Sequence, residues 1–407
     1  MQTSLADFIR YTPDGNEAEK ILRNCVHCGF CTATCPTYQL LGDELDGPRG
    51  RIYQIKQVLE GDAATPTVRQ HLDRCLTCRS CETTCPSGVD YHRLLDIGRK
   101  VVEEKAPRPF TERLMRKILI QTLAYPKRLK PFVTLGQFLK PAMPASLKEK
   151  IPNSNAGKYL APSTSGERRM LIMQGCAQSA MAPEINDAAV KIFAHLDIRV
   201  DIVEQAGCCG ALPHHLNDHE RSLVMAKKNI DAWIPELDAG CEAIIITASG
   251  CGAHLKDYGK LLADDPNYAE KAQRVADLCR DPAELLLKED IKRLKGNISN
   301  DKLAVHTPCT LQHALGLNGS VETLLGKIGY ELCGVEEGHL CCGSAGTYSI
   351  TQPKISNELR TKKLYALNRH HPDKIVTANI GCMMHLQEEG GKPVGHWLNL
   401  VADDLGN

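Results

Sequence analysis

The 407-residue sequence has no net charge, because Lys and Arg together number 49 and Asp and Glu together also number 49. A chain balanced in this way has no overall field that would draw it to nucleic acid or to an anionic surface. It contains no run of about 18 apolar residues, which excludes a transmembrane helix. The N-terminus lacks the apolar core of an export signal, so we expect a protein of the reducing cytoplasm.

The sequence also lacks a glycine-rich dinucleotide fingerprint of the G-x-G-x-x-G type after any predicted strand. The sequence also shows no acidic and basic residues placed together in a pattern that would indicate catalysis. We therefore assign no catalytic residue and expect no flavin on this chain. The length predicts two or three domains, and an apolar content of 43% is enough to form their cores.

Cysteine, by contrast, is abundant, with 19 residues. In a reducing compartment so many cysteines predict metal or redox chemistry and not disulfides. Eight of them form two copies of the pattern C-x2-C-x2-C-x3-C-P, which is the spacing of bacterial [4Fe–4S] ligation. The first copy contains Cys25, Cys28, Cys31 and Cys35, and the second contains Cys75, Cys78, Cys81 and Cys85.

In paired motifs of this kind the fourth cysteine binds the cluster of the other motif. We expect the following two sets of metal ligands: Cys25, Cys28, Cys31 and Cys85 for one cluster, and Cys75, Cys78, Cys81 and Cys35 for the other. Zinc is the alternative, since C-x2-C pairs also bind zinc. Two matched sets of four cysteines favour the clusters.

The 39 residues between the motifs begin with irregular sequence and a turn cluster at Asp46–Gly50. After it, Ile52, Ile55, Val58 and Leu59 fall on one face at helical spacing. A second helix, from about Tyr91 to Lys105, closes this part of the chain. The region resembles the α-helical ferredoxin domain of electron-transfer subunits, and we predict that it spans residues 1–106.

Residues 108–150 carry ten Lys and Arg against two acids, with apolar residues at helical intervals. Two interpretations remain open. The segment is either a solvated helix packed across the next domain, or a surface that lies on an anionic membrane or a partner. Pro141–Gly166 is rich in Pro, Ser, Asn and Gly and is predicted to be a linker. Residues 107–167 thus form a basic helical segment and a linker.

The rest of the chain is an internal repeat. In both copies a cysteine is followed after 31 residues by Cys-Cys-Gly, and later by Gly-Cys-x2-His. Self-similarity of this kind indicates a duplicated unit, predicted here at residues 168–298 and 299–407. The repeated cysteines are Cys176, Cys208, Cys209 and Cys251, and then Cys309, Cys341, Cys342 and Cys382.

Short apolar runs alternate with helical patterns in both copies, which indicates parallel sheets with helical crossovers. The predicted strands are Met170–Gln174, Arg199–Val203, Ala243–Ala248, Leu303–His306 and Lys374–Thr377. In each copy the first and last cysteines follow a strand, and open α/β sheets bind ligands at the carboxyl ends of their strands. We therefore expect the four thiols of each copy to converge, with His254 and His385 as candidate neighbours.

Adjacent cysteines on a tight loop could hold an iron–sulfur cluster or exchange disulfides. The alternative is a buried free cysteine, which behaves as a small apolar residue. We favour a cofactor or redox role for the eight repeated cysteines, and a buried structural role for Cys241, Cys279 and Cys333. No role is assigned to His214, His215, His306, His313 or His396.

Two C-x2-C-x2-C-x3-C-P motifs followed by two Cys-Cys-Gly repeats resemble a family of iron–sulfur subunits of dehydrogenases. That family includes glycolate oxidase, anaerobic glycerol-3-phosphate dehydrogenase, lactate-oxidising complexes and heterodisulfide reductase. The stretch CPTYQLLGDELDGPRGRIYQIKQVLEG is most similar to glycolate oxidase iron–sulfur subunits. One departure is that both repeats end in C-x2-H, whereas heterodisulfide-reductase repeats end in C-x2-C.

The resemblance implies an α+β multidomain protein that holds two [4Fe–4S] clusters, with a third cluster as an open question in the Cys-Cys-Gly domain. It implies a relay that takes electrons from a flavoprotein subunit oxidising glycolate to glyoxylate and passes them toward a quinone. The expected location is the inner face of the cell membrane, as a peripheral protein. The alternatives are a lactate or glycerol-3-phosphate dehydrogenase subunit, or a heterodisulfide-reductase-like enzyme whose Cys-Cys-Gly domain itself reduces an acceptor.

Overall fold

The computed structural model describes residues 1–140, 166–387 and 390–406. Its contacts divide the chain into two compact units. One comprises Met1–Met115 with His339–Lys363, and the other Arg116–Gly338 with Leu364–Asn407. All but the last residue of the predicted linker Pro141–Gly166 lies outside the described residues. The domain boundaries inferred from the sequence stay predictions.

The first unit is helical. Its N-terminal part contains α1 (Pro13–Asn24), α2 (Pro36–Leu41), α3 (Pro48–Glu60), α4 (Pro66–Asp73), α5 (Ser80–Thr84) and α6 (Tyr91–Lys105). Four of these helices begin at a proline, whose fixed φ suits the first turn and whose missing N–H would have had no partner there. The side chains of Thr12 and Thr65 cap α1 and α4 by accepting hydrogen bonds from backbone N–H groups.

Helices α3 and α6 form the centre of this unit. Ile52, Ile55, Val58 and Leu59 are all buried, as the helical spacing predicts. Gly98 of α6 lies directly against Ile55, so close that a Cβ at this position would sit 2.6 Å from its Cγ1. Helix α6 has the predicted bounds. The expected turn at Asp46–Gly50 is instead a 3-10 turn at Glu44–Asp46 followed at once by α3.

Two further helices follow, α7 (Phe110–Leu123) and α8 (Pro126–Leu139). Both belong to the basic segment, and each buries little. The only fully buried side chain of α8 is Leu129, whereas Phe132, Leu135, Phe138 and Leu139 are exposed. None of the helices in the described part of the chain is long and apolar enough to cross a membrane.

The second unit contains two four-stranded sheets, in which every pair of neighbouring strands is parallel. The first sheet has the order β2-β1-β3-β4 and the second the order β6-β5-β7-β8. The strands are β1 (Arg168–Ile172), β2 (Ile198–Ile202), β3 (Ile244–Ile245), β4 (Cys279–Arg280), β5 (Lys302–His306), β6 (Glu331–Cys333), β7 (Lys374–Thr377) and β8 (Val394–His396).

Helices separate the strands, as parallel pairing requires. In the first copy they are α9 (Ala177–Met181), α10 (Glu184–His195), α11 (Ala211–His215), α12 (His219–Asp238), α13 (Ser249–Lys256), α14 (Tyr258–Leu261), α15 (Ala269–Leu278) and α16 (Pro282–Leu286). In the second they are α17 (Ser320–Ile328), α18 (Tyr348–Thr351), α19 (Pro353–Asn368), α20 (Ile380–Leu386) and α21 (Trp397–Asp404).

The apolar run of residues 170–173, at the end of β1, is buried on both faces of the sheet. Met170 and Ile172 belong to one hydrophobic core, and Leu171 together with Met173 belongs to another on the opposite face. The first core also contains Leu303 and other residues of the second sheet, so it is common to both copies. A strand buried on both faces has no polar alternation, as is typical of parallel sheets.

These observations confirm the predicted fold class, a helical cluster domain with a duplicated α/β region. The five predicted strands are all present, though β3 is shorter than the apolar run Ala243–Ala248. Cys241 and Cys279 are buried as expected. Cys333 is only half-buried, and its thiol lies 3.8 Å from the carbonyl oxygen of His370. The expectation of a buried cysteine there is wrong, because β6 pairs with β5 alone at the edge of its sheet.

Candidate metal centres

Cysteines of both N-terminal motifs line one cavity in the first unit. Its walls include Cys25, Cys28 and Cys31 of the first motif and both Cys81 and Cys85 of the second. The cavity has about 430 Å³ of empty space, part of it open to solvent. The fourth cysteine of the second motif thus lies with the first three of the first motif, but Cys81 lines the same cavity, and the division into two ligand sets stays a prediction.

The second set is grouped in a similar way. The charges that act on Cys81 come from Cys78 and Cys75, and then, after Glu82, from Cys35. For Cys31, the charges of Cys25 and Cys85 have larger effects on the pKa than the charge of Cys35. The third cysteine of each motif therefore has the fourth cysteine of the other motif among its neighbours.

The two loops have the same backbone. The second and fourth residues after the first cysteine have positive φ in both copies, at 60° and 87° for His27 and Gly29 and at 53° and 59° for Thr77 and Arg79. Such left-handed residues reverse the chain sharply. Each loop can thus wrap three thiols around one centre, which the x2 spacing alone would not ensure.

The thiols suit a cation-bearing cluster. Burial, followed by the charges of Cys25 and Cys85, raises the pKa of Cys31 to about 11. Burial, followed by the charges of Cys78 and Cys75, raises the pKa of Cys81 well above its usual value. Crowded buried thiols lose their protons only when positive charge is bound among them, and the irons of a cluster supply that charge.

The two sets differ in exposure. Cys28 is exposed, and the neighbouring Val26 and Phe30 are 67% and 61% exposed. In the second set Cys78 and Cys81 are buried. The first set therefore opens to solvent and the second lies inside the helical unit.

A buried ionic network adjoins the second set. The carboxylate of Asp46 binds His71 Nδ1 at 3.0 Å, Arg74 Nη1 at 2.7 Å and Arg51 Nη2 at 3.4 Å. Arg51 and Asp46 are both fully buried. Sequence analysis missed these residues. The available signal was an arginine directly before the apolar face of α3, but its partners come from distant parts of the chain.

In the first Cys-Cys-Gly copy the four thiols are joined. Cys176 follows β1, Cys251 lies in α13 after β3, and Cys208–Cys209 precedes α11. Thiol hydrogen bonds connect Cys176 with Cys208, Cys208 with Cys209, and Cys209 with Cys251. The four sulfurs therefore form one contiguous group next to the strand ends.

This thiol group strongly resists ionisation. The hydrogen bond to Cys208, and then burial, raises the pKa of Cys176 well above its usual value. For Cys209 the hydrogen bond from Cys208 lowers the pKa, but its own bond to Cys251 and its burial outweigh that effect. Protonated buried thiols are poor nucleophiles. The thiols are therefore poorly suited to disulfide exchange, while their convergence is what a metal centre needs.

His254, the candidate neighbour in this copy, is buried against the loop. A Cβ on Gly210 would lie 3.4 Å from His254 Nε2, which itself is 3.2 Å from Ser222 Oγ. The rings of His214 and His254 are 5.1 Å apart. Sequence analysis gave His214 no role, and no local pattern would have placed it beside His254.

The second copy is divided between the two compact units. Cys309 and Cys382 follow β5 and β7 in the second unit, whereas Cys341 and Cys342 belong to the first. Convergence of these four thiols stays a prediction. His385 is on α20, one turn after Cys382.

The two Cys-Cys-Gly loops nevertheless share their local geometry. Gly210 and Gly343 both have φ +92°, and the N–H of each glycine is 3.5 Å from the sulfur of the first cysteine of its own loop. Each glycine also lies against a serine of a following helix, Ser222 or Ser356. The duplication is therefore visible in atomic detail as well as in the spacing.

Comparison with known families identifies the domains that contain these motifs. Residues 21–89 match the model of the 4Fe-4S dicluster domain, and residues 170–256 and 303–387 match the model of the cysteine-rich domain. These matches confirm the predicted iron–sulfur domain and the duplicated Cys-Cys-Gly region.

Two of the relatives match over most or all of the chain. The chain is 51% identical to the glycolate oxidase iron–sulfur subunit of Escherichia coli K12, over 100% of this chain and 99% of the relative. It is 30% identical to the probable glycolate oxidase iron–sulfur subunit of Bacillus subtilis 168, over 90% and 88%. Lactate utilization protein A of Bacillus velezensis is 26% identical over 52% of this chain and 87% of its own. The chain belongs to the family of glycolate oxidase iron–sulfur subunits.

Proposed function

We propose that the chain is the electron-transfer subunit of a glycolate oxidase complex. It receives electrons from a flavoprotein subunit that oxidises glycolate to glyoxylate, and it passes them toward a quinone-type acceptor. The observation that carries this proposal is the full-length similarity to glycolate oxidase iron–sulfur subunits, together with two four-thiol sets in one compact unit.

The cysteines are the residues that hold the cofactors. Cys25, Cys28, Cys31 and Cys85 hold one [4Fe–4S] cluster, and Cys75, Cys78, Cys81 and Cys35 hold the other. A cluster of this type, when bound, supplies a one-electron carrier. The chain itself supplies thiolates, excludes water from the second site and leaves the first open at Cys28.

Substrate oxidation requires a partner. Glycolate loses two electrons together, while a cubane accepts one at a time, so a flavin must stand between them. The apolar rim of Val26 and Phe30 around Cys28 suits a docking partner that brings its own carrier near the first site.

The Cys-Cys-Gly thiols form a second tier. The hydrogen-bonded set of Cys176, Cys208, Cys209 and Cys251 supports a further metal centre, since it brings four sulfurs together in one contiguous group. We propose a matching role for Cys309, Cys341, Cys342 and Cys382. An enzyme of the heterodisulfide-reductase type would need a reactive thiol and is less well supported.

Attachment to a membrane surface is the proposed location, through α8. The side chains of Phe132, Leu135, Phe138 and Leu139 are exposed and recur at helical spacing, whereas Leu129 is buried. Residues 110–140 contain seven Lys and Arg and one acid, Glu112. Exposed apolar side chains with surrounding cations are typical of helices that lie in an anionic lipid interface.

Vesicle flotation tests this location. The chain is expected to float with vesicles that contain phosphatidylglycerol and to bind pure phosphatidylcholine vesicles much less. The double variant Phe132→Ser/Phe138→Ser should lose flotation, while Val224→Ser, an exposed apolar residue of α12, should not. Equal flotation of both variants would assign the exposed face of α8 to a partner protein.

Reconstitution tests the function. The purified chain alone should not oxidise glycolate, lactate or glycerol 3-phosphate. With its flavoprotein partner, glycolate should reduce a dye or quinone, and Cys28→Ser or Cys78→Ser should cut that flow while flavin reduction continues. Glycolate turnover by the chain alone would overturn the proposal, and faster flow with lactate or glycerol 3-phosphate would reassign the complex.

A further inference from the structure

Helix α3 directs two arginines to different thiol sets. Arg49 lines the cavity of the first set, where its Nη1 would lie 2.9 Å from a Cβ on Gly29. Its side chain is 33% exposed and pairs with Glu44 at 2.6 Å. Arg51, two residues further on, has a side chain only 1% exposed. The helix thus offers one cation to each set, in different surroundings.

Arg51 is held firmly inside the unit. Its Nε donates to the carbonyl oxygen of His71 at 2.7 Å, and its Nη1 donates to Thr37 Oγ1 at 3.1 Å. The carboxylate of Asp46 neutralises it only in part, since the same group also binds Arg74. Two guanidinium groups share one carboxylate, which leaves positive charge at this position.

That charge acts on the second set. Burial alone would lower the pKa of Arg51, but Cys75, and then Tyr91, Cys35 and Asp46, hold it well above its usual value. Thr37 Oγ1, which accepts from Arg51 Nη1 at 3.1 Å, also lies 3.3 Å from Cys35 Sγ, so one hydroxyl links the cation to a thiol of the second set. An arginine with such a pKa stays charged at every pH at which the protein folds.

Tyr91 adds a hydrogen bond to the same sulfur. Its hydroxyl donates to Cys75 Sγ at 3.7 Å, and the backbone N–H of Thr77 lies 3.5 Å from that atom. The two contacts place one side-chain donor and one backbone donor on the same sulfur.

Reduction of a cluster adds one negative charge. A nearby cation, or a hydrogen bond to a cluster sulfur, stabilises that charge and raises the reduction potential. The effect is large where the surroundings are dry and small where solvent screens the cation. Arg51 and Arg49 represent these two situations on one helix.

We propose that Arg51, assisted by Tyr91, is a positioning residue that raises the reduction potential of the Cys75/Cys78/Cys81/Cys35 site, while Arg49 has little influence on the other site. Electrons that enter the relay are thereby retained at the buried site. The inference rests on the proposed function only in taking both thiol sets to hold clusters.

A redox titration followed by electron paramagnetic resonance tests this inference. The intact chain, loaded anaerobically, should show two one-electron waves, and the wave that persists in Cys28→Ser is that of the buried site. In Arg51→Met the ratio of reduced to oxidised cluster at the buried site should fall at least tenfold at a fixed potential, which is 59 mV. Arg49→Met should change the ratio at the open site less than threefold.

Two further variants separate charge from structure. Arg51→Lys keeps the cation and should restore most of the lost ratio. A shift as large as that of Arg51→Met would contradict an effect of charge. Tyr91→Phe removes only the hydroxyl. If Arg51→Met does not bind both clusters, the reduction potential of the buried site in Tyr91→Phe tests the inference instead.

The outcomes are distinct. A lowered buried-site wave in Tyr91→Phe, with iron content unchanged, supports the inference, and an unmoved wave overturns it. If the chain binds both clusters but neither the Arg51 nor the Tyr91 substitution shifts a reduction potential, the inference is refuted and the proposed relay stands. A chain that binds no iron refutes the relay itself.

Discussion

The two duplications in this chain have diverged in different ways. The two N-terminal motifs share their spacing and their loop backbone, but one opens to solvent at Cys28 and the other encloses Cys78. The two Cys-Cys-Gly copies share a sheet order and a glycine conformation, but their loops belong to different compact units. In both cases the ligand geometry is repeated and the surroundings are not.

This difference has a physical basis. Ligand spacing is set by the size of the centre that the thiols enclose, so both copies must keep it. Burial and nearby charge determine what such a centre does once it is bound, and these can change freely between copies. Duplication therefore gives two carriers of one geometry with separately adjustable properties.

The largest expected effect tests whether the N-terminal copies exchange their fourth cysteine. Cys35→Ser should damage the cluster of Cys75, Cys78 and Cys81, and its resonance spectrum should match that of Cys78→Ser. Cys85→Ser should match Cys28→Ser in the same way. Iron content should fall from about eight toward about four atoms per chain. A Cys35→Ser spectrum like that of Cys28→Ser would show that each motif holds its own cluster.

Much of this pairing could be predicted from the sequence, because cysteine spacing is local. Five of the eight strands in the described part of the chain could also be predicted, since runs such as β1 and β7 are buried against helices. Strands β4, β6 and β8 contain only two or three residues each and were not predicted. The charge network could not, because Arg51 meets Asp46, His71 and Thr37 only after folding. Nor could the half-exposed position of Cys333, which depends on which strand forms the edge of a sheet.

The Cys-Cys-Gly copies differ at one equivalent position, where the helix after the fourth strand begins. Asp281 caps α16 by accepting from Ala283 N at 2.9 Å, and His396 caps α21 by accepting from Leu398 N at 3.3 Å. Both side chains are buried. Burial raises the pKa of Asp281 to about 7 and lowers the pKa of His396 to about 3. Both caps are therefore favoured in their neutral forms.

The next prediction concerns His396. Its ordinary pKa is 6.5, so the stability that it contributes is complete above this pH and is lost as the pH falls toward 3. Each pKa unit corresponds to about 1.4 kcal/mol, which gives up to about 5 kcal/mol in total and about 2 kcal/mol between pH 7 and pH 5. His396→Asn should lose this dependence while keeping a cap. Its lost hydrogen bond to the carbonyl oxygen of Thr247 should lower stability by about 1 kcal/mol at pH 8.

Urea unfolding can measure this effect through tryptophan fluorescence, because Trp233 and Trp397 are the only two tryptophans and lie in different copies. The natural chain should be the more stable by about 1 kcal/mol at pH 8, and His396→Asn should be the more stable by about 1 kcal/mol at pH 5. A difference that is constant across this range would mean that His396 binds its proton as readily in the folded chain as in the unfolded chain.

Asp281 should show a dependence of opposite sign. Its ordinary pKa is 3.8, so its contribution is complete below that pH and is lost as the pH rises through 7. Asp281→Asn keeps the cap and removes the buried charge, so it should exceed the natural chain in stability by up to about 4 kcal/mol at pH 8. The advantage should fall to about 2 kcal/mol at pH 5 in the same urea experiment. An advantage that grows on acidification would contradict the raised pKa.

The smallest expected effect compares the two loop glycines. At φ +92° any side chain is strained, which costs on the order of 1 kcal/mol. A Cβ on Gly343 would lie 2.5 Å from the carbonyl oxygen of Ser356, whereas one on Gly210 would lie 2.9 Å from that of Ser222. Gly343→Ala should therefore be the more destabilising by roughly 1 kcal/mol, since overpacking costs about 1–3 kcal/mol.

Circular dichroism during urea unfolding of the metal-free chain would measure that difference for both loops. Gly316→Ala is the matched control, because Gly316 has φ +68° but no atom within 4 Å of its Cβ position, so it reports backbone strain alone. If Gly210→Ala and Gly343→Ala were no worse than Gly316→Ala, neither serine would approach its loop as closely as 2.9 Å. A larger loss for Gly210→Ala would instead mean that the Cys208–Gly210 loop, whose thiols form the contiguous hydrogen-bonded set, is packed more tightly than the Cys341–Gly343 loop.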